Sequence, residues 1–286
     1  MGNENTDERV RRQDVIHTIG GKLSRTNDRE NLRYRYLSEK EIGFISKSHP
    51  EVEKQGYCPT CSGDGYYIFR RKNRKRCDCE LQVQMYRHYL SAGIPTLYQR
   101  LDWKDFDGPR DVLDAANNYL KNLEKYVQSG FGLYLTGSNG IGKTFVLTLI
   151  LKDLVAMGYK CFFTTADSMF EMKTDGWKDD EEKERYNSKV RNSKILVIDD
   201  AGKEFANRLT DQTFESLVRY RAQNSLTTLV SSNQDMTETR AKYGESFYSL
   251  ITGSFIHYDL SGDDFRPIAR DKRLEEIDKN WTRPIL

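Results

Sequence analysis

What the chain lacks narrows it first. No segment of its 286 residues is both apolar and long enough to span a bilayer. The longest apolar stretch, about residues 145–157, is interrupted by Lys152 and Asp153, and a spanning helix needs roughly 20 apolar residues. The opening MGNENTDERVRRQDV holds no apolar core of the kind a secretory leader requires, so a cytoplasmic protein with no membrane partner is expected. An excess charge of one sign is also missing: 45 Lys and Arg stand against 43 Asp and Glu, a formal +2. Taken over the whole chain, that balance argues against a polyanionic partner. Global disorder is excluded by 12 % aromatic and 37 % hydrophobic residues. There is no internal repeat, and cysteine is confined to residues 57–80 except for Cys161.

The charge balance does not hold segment by segment. Residues 1–92 carry 18 basic and 13 acidic side chains, a net +5, and the remainder carry 27 and 30, a net −3. Patterning divides the chain further. Residues 1–30 are polar without periodicity and read as a flexible tail. Residues 31–92 form a small domain. It has a short helix near 34–50, opened by a Ser38/Glu41 capping box, and a second helix over 81–92. Residues 93–110 read as a linker, 111–270 as a large domain and 271–286 as a C-terminal tail. In the last part of the chain, residues 274–281 read as a short amphipathic helix docking on the core. Within the large domain, 111–129 repeats apolar residues at helical spacing. Strands are expected at 131–136, 160–165, 195–198, 227–231 and 254–260, with helices at 143–157 and 210–222. Strands alternating with helices predict an α/β fold whose parallel sheet is buried on both faces.

Residues Gly137, Ser138, Asn139, Gly140, Ile141, Gly142, Lys143 and Thr144 satisfy G-x-x-x-x-G-K-[ST] between an apolar strand and a helix. Glycines let the backbone wrap phosphates, and the helix N-terminus adds positive charge. Lys143 would reach the β- and γ-phosphates and Thr144 would hold Mg²⁺. A Gly-rich turn before a helix is the bland alternative. In Ile195-Leu-Val-Ile-Asp199-Asp200 four apolar residues end in two carboxylates, at the strand end where ligands bind in open α/β sheets. Asp199 would bind Mg²⁺, and Asp200 would orient or deprotonate an attacking water. The alternative is a helix cap after a core strand. Ser231-Ser232-Asn233 ends the next strand and could aim an amide at that water, or could be ordinary turn chemistry.

Cys58-x-x-Cys61 and Cys77-x-Cys79, fifteen residues apart, suit a tetrahedral Zn²⁺ with four thiolates. Four protein ligands leave no open position, so the role would be structural. Disulfides are the alternative, disfavoured in a cytosolic chain. Between the pairs, six of the seven residues from 70 to 76 are basic and follow Tyr66-Tyr-Ile-Phe69. Such a run could track nucleic-acid phosphates with bases stacked on the aromatics, meet an acidic protein, or be a solvated tip. Cys161, in an apolar run, reads as a core thiol.

In this order the segments resemble AAA+ replicative helicase loaders of the DnaC/DnaI type and, more distantly, IstB-like transposition ATPases. The resemblance covers about residues 92–270. It rests on Ala92-Gly-Ile-Pro95, residues 131–144, Leu196-Val-Ile-Asp-Asp-Ala-Gly-Lys203, Tyr220-Arg-Ala-Gln223, Ser232-Asn233, Tyr243-Gly-Glu245 and Asp264-Phe-Arg266. It implies a P-loop AAA+ parallel-sheet ATPase domain, strand order 5-1-4-3-2, with little of the usual helical lid, preceded by a small zinc-binding N-terminal domain. It implies ATP and Mg²⁺ as ligands, hydrolysis to ADP and phosphate, and a bacterial or phage-infected cell. The implied partners are a hexameric replicative DNA helicase and single-stranded DNA, with self-association through the AAA+ domains. Asn233 would match the first sensor and Arg266 the second-sensor arginine. Residues 168–183 fall where loaders carry an extra helix lining the DNA channel, although Met169, Phe170 and Met172 indicate packing. Two departures stand out. Residues 244–252, where an arginine finger usually sits, contain no arginine, and Asp200 stands where many AAA+ proteins have glutamate. Either Arg240, Arg219 or Arg221 substitutes, or hydrolysis is slow. A non-hydrolysing helicase adaptor and an IstB-like transposition or recombination ATPase are the alternatives.

Overall fold

The computed structural model describes residues 37–69, 73–202, 208–279 and 281–285. The expected flexible tail at 1–30, and Arg70 and Arg71 of the basic run, lie outside the described residues.

The first described helix, α1 (Glu39–Ser48), starts where the sequence signals it: Ser38 Oγ accepts the Glu41 N–H, and the Glu41 carboxylate accepts the Ser38 N–H. A two-stranded antiparallel hairpin follows, β1 (Tyr66–Phe69) and β2 (Asn73–Arg76), and then α2 (Cys79–Ser91). Residues 93–110 contain the short helix α3 (Thr96–Gln99) and a single 3-10 turn, Trp103–Asp105.

Beyond them stand α4 (Arg110–Leu120), α5 (Leu123–Ser129), β3 (Gly132–Gly137), α6 (Lys143–Ala156), β4 (Cys161–Thr165), α7 (Ala166–Asp175) and α8 (Asp180–Tyr186). A π-helical turn (Asn187–Arg191) leads to β5 (Ile195–Ala201), α9 (Arg208–Gln223), β6 (Thr227–Ser232), α10 (Met236–Tyr243), α11 (Glu245–Ser254), β7 (Phe255–Leu260) and α12 (Arg266–Asp278). The five strands β3–β7 form one parallel sheet in the order β4-β5-β6-β3-β7. Counted along the large domain, that is the expected 5-1-4-3-2.

Burial explains the strand sequences. Leu133 and Leu135 of β3, with Ile195 and Val197 of β5, face α2, α4 and α6, whereas Tyr134, Leu196, Ile198 and Val230 face α7, α9 and α11. A strand covered on both sides reads as a continuous apolar run. Cys161 lies in the core on β4, as expected. Helix α6 is apolar nearly all round because the sheet and the linker enclose it. The two charges in its C-terminal half are met by the linker. Lys152 Nζ donates to the carbonyls of Gln99 (3.1 Å) and Leu101 (2.5 Å), and Asp153 accepts from Trp103 Nε1 (3.0 Å).

Two expectations need correction. The helix expected over 111–129 is two helices, broken at Lys121–Asn122. Asn122 leaves helical geometry, and its carbonyl opens α5 by accepting the Tyr126 N–H. The break lets the Tyr119 and Tyr126 rings stack, centroids 5.1 Å apart, while Leu123 and Val127 stay buried. The amphipathic helix expected at 274–281 instead starts at Arg266 and buries none of its residues; Ile268, Leu274 and Ile277 are exposed. What docks is the segment after it, where Ile285 is buried and Trp281 meets Phe69.

Candidate nucleotide and metal sites

The phosphate loop spans the end of β3 and the start of α6. Gly137, Gly140 and Gly142 all have positive φ (138°, 78° and 96°), a conformation that side chains disfavour. Lys143 Nζ donates to Gly137 O (2.7 Å), Ser138 O (2.8 Å) and Asn233 Oδ1 (2.9 Å). The lysine thus closes the loop on itself and ties it to the tip of β6. Asn139 and Ile141 complete the turn; Ile141 is buried and anchors it to the core.

The two carboxylates at the end of β5 sit on a bulge. Ile198 pairs with Val230 and Ala201 with Ser232, so Asp199 and Asp200 together face Ser231. Two residues against one re-aim both side chains, and Asp200 adopts φ +57°, rare outside glycine. Ser231 Oγ accepts the Asp200 N–H (3.0 Å) and donates to Asp199. Thr144 Oγ1 lies 2.9 Å from both Asp199 oxygens, and Asn233 Nδ2 donates to Asp200 Oδ1 (3.3 Å). Burial pushes the Asp199 carboxyl up, and the Ser231 and Thr144 hydroxyls only partly offset it. A buried carboxylate with no cationic side chain bonded to it among the described residues is a fit for a cation, and Thr144 and Asp199 would be the protein groups that hold Mg²⁺.

Three features here escaped the sequence reading. Phe106, from the linker, lies over the loop: a Cβ on Gly142 would meet its ring at 2.6 Å, and it packs on Phe145 with centroids 5.4 Å apart. Tyr98 packs on the other side of Phe145 (5.9 Å). Burial raises the Tyr98 phenol, Asp199 adds to this and Arg266 opposes it; the Arg266 side chain is exposed. Asp264 approaches Gly140, where a Cβ would lie 1.9 Å from Oδ1, and accepts the Arg266 N–H (2.9 Å). No local motif marks these contacts. The nearest signal is the glycine at 140 and 142, positions that need space as well as positive φ.

The four cysteines form a separate cluster. The sulfurs of Cys58, Cys61, Cys77 and Cys79 all lie within 4.8 Å of one another, Cys58–Cys77 at 3.6 Å and Cys61–Cys79 at 3.3 Å. Those spacings are too long for disulfide bonds and close to the ~3.8 Å edge of a tetrahedron with 2.3 Å metal–sulfur bonds. Gly56, Gly63 and Gly65 have positive φ and turn the chain around them. Burial raises the Cys61 thiol, but hydrogen bonds from Cys79 and the Gly63 and Gly65 amides outweigh it and leave it lowered; burial pushes Cys77 up. Four converging sulfurs with amides aimed at one of them fit zinc.

The profile of the IstB-like ATP binding protein family matches residues 85–251, more than half of the chain. The chain belongs to that family. Among curated relatives of this IstB-like protein, the replicative helicase loader DnaI of Bacillus subtilis (strain 168) is 30 % identical over 215 residues, 71 % of this chain and 68 % of DnaI. The replicative helicase loader DnaC of Escherichia coli (strain K12) is 23 % identical over 190 residues, 64 % of this chain and 76 % of DnaC. A crystal structure of the DnaC helicase loader superposes with a TM-score of 0.50 at 22 % identity, covering 58 % of this chain and 99 % of that one. The fold is accordingly an α/β AAA+ fold with a five-stranded parallel sheet, carrying an N-terminal four-cysteine cluster.

Within this IstB-like fold the three arginines considered as substitutes for a finger differ sharply. Arg221 is fully buried, donating to Thr228 Oγ1 and to the carbonyls of Val190, Arg191, Ser193 and Thr227. It is a structural clamp and cannot reach a neighbouring subunit. Arg219 pairs with Glu215 and donates to Ser246 Oγ (3.0 Å), and Arg240 pairs with Glu245; both are at the surface near the start of α11. Of residues 168–183, Met169 is buried and Met172 half-buried and both join the core under the sheet, whereas 177–181 are exposed.

Proposed function

We propose that this protein is an ATP-dependent loader of a hexameric replicative DNA helicase, hydrolysing ATP to ADP and phosphate as it helps place that helicase on single-stranded DNA. What carries the reading is a phosphate-loop site in which Lys143, Thr144, Asp199, Asp200 and Asn233 already converge, in a chain that also holds a separate four-cysteine module. DnaI and DnaC are named as replicative helicase loaders, and both similarities support it. In this reading Lys143 leaves Gly137 and Ser138 to meet the β- and γ-phosphates, and the loop amides from Gly137 to Thr144 cradle them. Mg²⁺ held by Thr144 and Asp199 would neutralise phosphate charge. Asp200 orients the attacking water and takes its proton, Asn233 reports the γ-phosphate, and Arg266 contacts it from the same subunit. Cys58, Cys61, Cys77 and Cys79 would hold zinc, which would stabilise the module that binds the helicase. The AAA+ domains associate side by side, with the helicase as template.

A pull-down and mass measurement with the replicative helicase, with and without ATP, tests this. A complex is expected, stronger with ATP; no complex under either condition overturns the loader reading. The buried state of Arg221 and the arginine-free stretch 244–252 favour a second reading, a non-hydrolysing adaptor in which nucleotide is a structural ligand. Phosphate release in the presence of helicase and single-stranded DNA separates the two.

A further inference from the structure

The β1–β2 hairpin has one closed face and one open one. Tyr66 pairs with Arg76, Tyr67 with Lys75, Ile68 with Arg74 and Phe69 with Asn73. Residues paired across a hairpin share a face and alternate along each strand. Tyr67, Phe69 and Lys75 therefore lie on one side. Tyr67 packs on the cysteine cluster, Phe69 meets Trp281 with centroids 6.3 Å apart, and Lys75 sits over the Phe69 ring (4.4 Å). On the other side are Tyr66, Ile68, Arg74 and Arg76. Tyr66 is 47 % exposed with the Arg74 guanidinium over its ring (4.5 Å), and both arginines are exposed. Neither arginine has a carboxylate partner among the described residues. No acidic residue occurs between Asp64 and Asp78.

We infer that this open face, Tyr66, Arg74 and Arg76, is a binding surface for single-stranded nucleic acid. The inference goes beyond the loader reading, which asks no DNA contact of the cysteine module. Two arginines on alternate positions of a strand stand about 6.7 Å apart, spaced to follow successive phosphates of an extended strand. The tyrosine beside them offers a ring on which a base can stack without regard to sequence. Guanidinium groups suit phosphate better than ammonium does, because their donors are planar and paired. The opposite face, through Tyr67, anchors the hairpin on the four-cysteine cluster.

The test is fluorescence anisotropy of a labelled oligo-dT with the full-length, zinc-loaded protein across a salt titration. Arg74→Glu with Arg76→Glu should weaken binding about tenfold or more and reduce the log–log salt slope by about 1.4, the release expected for two single-strand phosphate contacts. Tyr66→Ala should weaken it about tenfold at every salt concentration, and Tyr66→Phe should not. Unchanged zinc content and melting temperature show that each variant is folded. The inference is overturned by unchanged affinity and slope in the double arginine variant, or by no oligo-dT binding in the parent. It is also overturned if that variant keeps its DNA affinity and loses helicase capture, which would make the face a protein surface. Retained helicase capture with lost DNA affinity supports it and leaves the loader reading standing.

Discussion

One ammonium group does most to organise the nucleotide site. Lys143 Nζ bonds two carbonyls of its own loop and Asn233, so it is held where phosphate oxygens would replace those acceptors. Removing a charged donor of this kind costs about 3 kcal/mol of ATP binding, roughly a hundredfold. Lys143→Ala should accordingly abolish binding at micromolar nucleotide in a fluorescent-ATP titration; normal affinity would defeat the phosphate-loop reading. Asp200→Asn should keep binding and stop phosphate release, because it removes a base and leaves the loop intact. A half-buried acid of α6 predicts a pH effect. Burial pushes the Asp153 carboxyl to about 7, although Trp103 donates to it. An acid raised above its unfolded value binds more protons when folded, so its contribution to stability falls as pH climbs from about 4 to 7. Asp153→Asn can still accept from Trp103 and carries no such penalty. Its unfolding free energy should therefore exceed that of the parent by about 4 kcal/mol at pH 8 and converge with it near pH 4, measured by denaturant titration at each pH. A constant gap across that range would mean that Asp153 is ionised in the folded chain.

Elements whose signals are local were legible before any coordinates. The Ser38/Glu41 box started a helix where it should, and the glycines around Lys143 marked the turn between β3 and α6. The four apolar residues before Asp199 marked a central strand. What could not be read was decided by contacts between distant segments. Nothing near Phe106 says that its ring will cover Gly142. That Arg221 packs rather than reaches outward is in keeping with its place on the helix, but its acceptors, carbonyls before β5 and at the start of β6, could not be read from α9. The bulge at Asp199–Asp200 likewise depends on the pairing of β5 with β6, which the residues of β5 alone do not specify. The cysteine hairpin lies between these cases: the spacing of its four cysteines was plain, and a dependence on metal is what its small size leads one to expect. Two four-residue strands are marginal alone, and the cluster of Cys58, Cys61 and Cys77 is the small apolar centre beneath them. Removing zinc with a chelator, or Cys58→Ser, should melt this hairpin and leave the parallel sheet folded. The readout is loss of one zinc per chain with new proteolytic cleavage between 57 and 79 and unchanged ATP binding. Zinc loss without new cleavage would show that packing alone holds the hairpin.

The +5 and −3 parts of the chain are joined by more than the linker. The segment 281–285 returns from α12 and bridges them. The Trp281 ring meets Phe69 of the hairpin, and the Ile285 N–H donates to Gln82 Oε1 (2.6 Å), which also accepts from Thr60 beside Cys61. Between them Arg283 pairs with Asp105 (2.6 Å) and with Glu276, and its carbonyl accepts from Arg100. Asp105 precedes Phe106, the ring that lies over Gly142, so a continuous set of contacts runs from the cysteines to the phosphate loop. Arg283 and Asp105 are only 16 % and 13 % exposed, and removing one partner of a largely buried pair costs about 3 kcal/mol. That cost should fall on the joint and leave both parts folded. In Arg283→Ala, amide hydrogen exchange should rise in 93–110 and in α2 while the sheet strands stay protected. ATP should then slow exchange in α2 less than it does in the parent, because the path from Phe106 to Gln82 has been cut. Equal slowing by ATP in the two proteins would show that the bridge is a passive strap and that the module does not sense the nucleotide through it.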